Sequence, residues 1–201
     1  MTKPSFGKFS PIMVTPYFAI ERAESLVSES SPPYYRLAES DSAICCVLDQ
    51  TDHFVFVNQY RPSLEAVTLE TPAGSIERGE TAVVAARREL REEVGMVCPL
   101  LPVGEYFRLM MNRVTSKEYL FFGMLPQPCI NDSRESEIET TRVLRSSVLG
   151  MALAGSYQQL AGVGLLSLAG EVLGLDIWHD PLAEIESAFR ANRAVDWPDA
   201  R

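Results

Sequence analysis

GSIERGETAVVAARRELREEVGM, residues 74–96, decides how the rest of the chain is read. Good helix formers follow Arg78 and Gly79, and Gly95 offers a stop, so the stretch predicts one helix from Glu80 to Gly95. Val83, Ala86, Leu90 and Val94 recur at helical spacing and form its core stripe. At about 100° per residue, Glu89 and Glu93 fall on one flank of that stripe, and Glu92 turns further toward water. Like charges at i, i+4 cost a helix roughly a few tenths of a kcal/mol per pair. The cluster therefore either faces solvent or is neutralised by something bound, and the second reading implies a metal ion.

Working outward, AICCVL and HFVFVNQY flank the turn-like DQTD and predict a β-hairpin, after which VTLETPAG reads as a short strand entering a loop. GEYFRL, KEYLFFGML and IETTRVL predict further strands, with NDSRES a polar loop between the last two. SVLGMALAG and YQQLAGVGLLSLAGEVL have helical spacing. A third helix, LAEIESAFRANR, is expected to start from Asp180 as N-cap, with Pro181 in its first turn. Ahead of all these, FSPIMVTPYFAI and PYYRLAES make residues 1–40 a small β-rich segment, followed by one domain over residues 41–201.

A chain of 201 residues with 46% hydrophobic and 22% charged residues can bury a sizeable core. Its net charge of −9 argues against nucleic acid or an anionic membrane as partner and favours cations, so an anionic substrate needs local positive groups. Cys45, Cys46, Cys98 and Cys129 lack metal-ligand spacing and read as free thiols in a reducing cytoplasm. No signal-peptide core or membrane span is expected, because the apolar region from Val148 to Leu175 is broken by polar residues and glycines. His53 and His179 have no second ligand nearby and read as surface or packing residues.

Read with its gaps, the opening stretch is Gly74, five residues, Glu80, seven residues, then Arg88-Glu89-Leu90-Arg91-Glu92-Glu93-Val94-Gly95. This resembles the signature of the Nudix hydrolases at every fixed position, a match expected by chance on the order of once in 10⁸ positions. The resemblance implies an α/β Nudix fold, a mixed β-sheet sandwiched between α-helices. It also implies that Glu89, Glu93 and the carbonyl of Ala73 bind metal, that Arg88 orients the glutamates, and that Glu80 and Glu92 support them. Pyrophosphate hydrolysis needs phosphate charge offset and a water positioned in line, tasks that hard divalent ions perform; Mg²⁺ suits an all-oxygen site, with Mn²⁺ a substitute. Gly74 and Gly95 are expected to serve backbone conformations with positive φ.

NQYRPS at 58–63 and LETPAG at 69–74 resemble the branch of the family that cleaves ADP-ribose and related nucleoside-diphosphate sugars. Arg61 is then the candidate cation for the diphosphate, because a guanidinium offers phosphate oxygens two parallel bonds. The branch's β-rich N-terminal segment implies a homodimer. Its Ser-Pro-Gly-like turn is replaced here by MMNRVTSKE at 110–118, in which Glu118 keeps the acidic position. A loop glutamate commonly serves as base for the attacking water, and Glu137, then Glu135, are the candidates. The expected reaction is metal-dependent hydrolysis of ADP-ribose to AMP and ribose 5-phosphate. The alternatives are a GDP-sugar, NADH or coenzyme A as substrate, or a regulatory module that binds a nucleotide without cutting it.

Overall fold

The computed structural model describes residues 5–28, 30–129 and 137–197. Three strands, β1 (Ser10–Val14), β2 (Phe18–Ala23) and β3 (Tyr34–Glu39), pair antiparallel in chain order and form a sheet of their own. Next come β4 (Ser42–Leu48), β5 (His53–Arg61), β6 (Ala66–Glu70) and β7 (Ala73–Ser75), then helix α1 (Ala82–Glu89) running into a π-helical turn, Leu90–Val94. The chain continues with β8 (Met96–Val97), β9 (Leu100–Phe107), β10 (Glu118–Met124), β11 (Gln127–Pro128) and β12 (Glu139–Leu144). Helices α2 (Arg145–Leu153), α3 (Leu160–Leu173) and α4 (Leu182–Ala191) follow.

A seven-stranded mixed sheet runs β12-β5-β4-β10-β9, with β6 added to β5 and β7 to β4, while β8 and β11 form a separate pair. Among the described residues, only the β4–β10 pairing is parallel in the large sheet. Successive residues of β4 serve opposite faces. Ala43, Cys45 and Val47 pack with Ala86, Leu90 and Val94 of the α1 side, whereas Ile44, Cys46 and Leu48 pack with Leu165, Leu166 and Phe189 of α3 and α4. Both faces are covered, which is why AICCVL is continuously apolar rather than alternating.

Several elements differ between sequence and structure. VTLETPAG is two strands on different partners, broken at Thr71-Pro72. The expected single helix changes pitch at Leu90. Helix α4 starts one residue late, with Pro181 as N-cap, because the Asp180 carboxylate instead accepts the Asp176 N–H at 2.7 Å. Cys45, Cys46 and Cys98 are free and buried, and burial pushes all three thiols up, Cys98 to about 12, so they stay protonated. Cys129 is partly exposed. Among the described residues, no helix is long and apolar enough to cross a membrane.

Candidate active site

The site forms where β4 parts from β5. The last residues of β4 pair with β5, Val47 with Val55 and Leu48 with Phe54, but its first residues pair with β7, Ser42 to Ile44 against Ser75 to Ala73. Antiparallel pairs alternate between bonded and non-bonded. Ile76 N–H bonds the Asp41 carbonyl and Cys45 N–H the Pro72 carbonyl, each at 2.8 Å, so the backbone groups of Ala73 and Ser75 turn away from β4. Side chains from the helical segment meet that outer edge. Ala73 N–H donates to Glu93 Oε2 at 3.0 Å, and the Ser75 carbonyl accepts from Arg88 Nη2 at 2.9 Å. The Ala73 carbonyl leaves the strand on the same side as its N–H.

Glu89 and Glu93 are 8% and 5% exposed, deeper than the edge position expected for them. Part of the reason is the π turn, whose i→i+5 closure holds more residues than an α turn and brings groups four apart closer to eclipsed. Gly95 ends it at φ 70°, as expected of a glycine stop. Gly74 is a correction, because its φ is not positive. It is glycine because the Glu89 carboxylate lies against its Cα. A Cβ there would stand 2.7 Å from Oε2 and closer still to Cδ and Oε1.

Arg88 gathers the other acids, reaching Glu80 Oε2 at 3.1 Å, Glu89 Oε1 at 2.7 Å and Glu92 Oε2 at 3.1 Å. The bond to Glu80 leads in strengthening the guanidinium's hold on its proton, and the same bond holds the Glu80 carboxyl below its ordinary range. Glu92 is the most exposed of the three. Among the described residues no three His, Cys, Asp or Glu side chains converge as a ready-made metal cage; Glu89 and Glu93 supply two carboxylates and the β7 edge supplies backbone oxygen.

Arg61 lies within electrostatic reach of Glu93, but its Nε and Nη2 are forked onto Glu70 at 2.7 and 2.6 Å. Burial pushes the Glu70 carboxyl up, and the bonds from Arg61 and Thr68 more than offset this, leaving it below its usual range. Sequence reasoning missed Glu70. The signal was cross-strand register, which puts Gln59, Arg61, Thr68 and Glu70 on the α1 face of the β5–β6 hairpin. Glu118 is not brought to the carboxylate pair. It is buried opposite Ser42 on β10, where the Ser42 and Ser116 hydroxyls meet its two oxygens. Glu137 is exposed in a turn before β12, and Glu135 lies outside the described residues. His53 Nδ1 approaches the Thr51 carbonyl at 2.6 Å and His179 pairs with Asp176 at 2.8 Å, both away from the carboxylates.

A mixed sheet between helices, with an acidic helical flank docked on an edge strand, defines the class: residues 39–152 match the NUDIX domain, and the chain belongs to that family. A methanol dehydrogenase activator of Bacillus methanolicus is 52% identical over 44 residues, 22% of this chain and 24% of that protein. An ADP-ribose pyrophosphatase of Saccharomyces cerevisiae is 48% identical over 44 residues, 22% of this chain and 19% of that protein. The matches thus span a quarter or less of these two relatives' length. The crystal structure of an ADP compounds hydrolase superposes with a TM-score of 0.72 at 21% identity, covering 87% of this chain and 96% of that one, a likeness of fold.

Proposed function

We propose that the chain hydrolyses the pyrophosphate bridge of a nucleoside diphosphate joined to a second group, with ADP-ribose the leading substrate and AMP and ribose 5-phosphate the products. One observation carries this reading. Two buried carboxylates, Glu89 and Glu93, stand at the outward-facing edge of β7, while one guanidinium, Arg88, ties Glu89 to Glu80 and Glu92. Carboxylate and carbonyl oxygens converging in one place are the donors that Mg²⁺, or Mn²⁺ in its place, prefers.

Glu89, Glu93 and the Ala73 carbonyl would hold the ion, which supplies charge neutralisation at the phosphates and a more acidic water. Arg88 fixes the carboxylates in place, and Glu92 adds negative charge at the rim. The Arg61 nitrogen outside the Glu70 fork, Nη1, offers the diphosphate a donor and a positive charge. A glutamate preceding β12, Glu137 or Glu135, takes the proton as water oxygen bonds phosphorus and the bridging oxygen leaves with one phosphate. The likeness to the yeast ADP-ribose pyrophosphatase and to the ADP compounds hydrolase supports an ADP-linked substrate.

Free buried thiols support a reducing, cytoplasmic setting, and the exposed apolar residues Ile12, Met13 and Val14 of β1 support pairing of two copies. The test is turnover by purified protein with Mg²⁺ against ADP-ribose, a GDP-sugar, NADH and coenzyme A. Release of AMP and ribose 5-phosphate from ADP-ribose, faster than cleavage of the others, is expected. No cleavage of any compound would overturn the reading in favour of a nucleotide-binding module.

A further inference from the structure

Between the outer edge of β6 and the turn joining α2 to α3 lies a cleft of about 670 Å³. Glu70 lines it and is held by Arg61, and the chain runs from Glu70 through Thr71 and Pro72 to Ala73, whose N–H donates to Glu93 Oε2. A molecule with its diphosphate at the carboxylate pair therefore has one further group within reach of this cleft. Val67 and Leu64, both largely exposed, give it apolar walls; Thr68, Glu70, Gln158 and Gln159 give it uncharged donors and an acidic acceptor. Among the described residues, no lysine, arginine or aromatic ring lines it. That composition disfavours a second phosphate, which would meet Glu70, and offers a purine nothing to stack on.

Gln159 makes the assignment specific. Its Oε1 accepts both the N–H and the hydroxyl of buried Thr71, at 2.8 and 2.6 Å. A backbone N–H can only donate, so the orientation of this amide is fixed. Its Nε2, with two donor hydrogens and no hydrogen bond among the described residues, is left to the cleft. Thr71 is where the chain leaves β5 for β4, two residues before Ala73, so the amide that faces the cleft also anchors the approach to the β7 edge. The turn is anchored by buried Tyr157, which packs edge-on against Phe56 with ring centroids 5.0 Å apart, and Gly162 leaves room for its hydroxyl.

We infer that this cleft is the subsite for the uncharged, hydroxyl-bearing sugar on the far side of the diphosphate, with Gln159 Nε2 donating to a sugar hydroxyl as a specificity-determining group. The inference rests on the pyrophosphatase reading for its placement, and its test separates the two. ADP-ribose and the β-methyl ester of ADP, which lacks the sugar, are compared as substrates with Mg²⁺ and as ligands by calorimetry in Mg²⁺-free buffer. Wild type is set beside Gln159→Glu, which keeps the acceptor for Thr71 and removes the donor, and beside Val67→Trp, which fills the cleft from an exposed position. Both variants are expected to lose about tenfold or more of the preference for ADP-ribose over the methyl ester. Wild type without such a preference, or variants that both retain it, would overturn the subsite. Cleavage of neither compound by wild type would overturn the pyrophosphatase reading, and the calorimetric preference would then decide the subsite by the same criterion.

Discussion

Gly74→Ala is the smallest change that bears on the carboxylate pair. The backbone at this position suits any residue, so conformational strain does not enter; the added methyl is the whole perturbation. Its carbon would stand 2.7 Å from Glu89 Oε2 and nearer still to Cδ and Oε1, where real Cβ contacts below 3.0 Å essentially do not occur. The carboxylate must therefore retreat by about 1 Å or more in a close-packed setting. Arg88 resists the retreat through its 2.7 Å bond to Glu89, so the shift propagates to Glu80 and Glu92. Overpacking of this kind costs about 1–3 kcal/mol of stability, which for a chain of 201 residues lowers Tm by roughly 2–4 °C per kcal/mol. A misplacement of about 1 Å at a catalytic constellation costs on the order of 100-fold in rate. The assays are thermal unfolding followed by circular dichroism, and AMP release from ADP-ribose at saturating Mg²⁺. A variant with Tm unchanged and kcat within about threefold of wild type would refute the argument that glycine is there to admit the carboxylate.

Other consequences are more local. Arg88→Lys keeps a charge but not the planar fork that serves three carboxylates and the Ser75 carbonyl, and kcat is expected to fall about 100-fold in a steady-state assay, with little recovery at higher Mg²⁺. Glu137→Gln, compared with Glu135→Gln, is expected to lower kcat by about 10²–10⁴ in whichever variant removes the base, while ADP-ribose affinity measured by calorimetry stays near wild type. At Asp49, burial pushes the carboxyl up but bonds from Thr51 and His53 and the Arg142 charge more than offset it, leaving its pKa below 3.8. A depressed folded pKa means that this group's contribution is present above 3.8 and lost as pH falls through the folded value. Asp49→Asn, which keeps the acceptor oxygen, should thus show a shallower loss of urea stability below that pH than wild type.

Legibility of the fold tracked how local each signal is. The β4–β5 hairpin and α3 could be read from runs of apolar residues and the turn DQTD, because those signals sit within the elements themselves. The division of VTLETPAG into β6 and β7 could not, since the break at Thr71-Pro72 reflects a change of partner strand and an anchor, Gln159, 88 residues away. The glutamates were located by spacing, but their depth depends on the π turn, which a 3.6-residue period does not encode. At Gly74 the two reasons for a glycine, a positive φ and a close approach, leave the same mark in one sequence, a missing side chain, and only the structure separates them. Arg61 was singled out without its partner, because the Glu70 fork arises from cross-strand register.

The central claim is that Glu89 and Glu93 together bind a divalent ion against a diphosphate. Isothermal titration of the folded protein with Mg²⁺, in the presence of ADP, tests it most directly when wild type is set beside the Glu89→Gln, Glu93→Gln double variant. The account predicts saturable binding by wild type in excess of what ADP alone takes up, and no such excess in the double variant of unchanged fold. Equal titrations of the two proteins would contradict it.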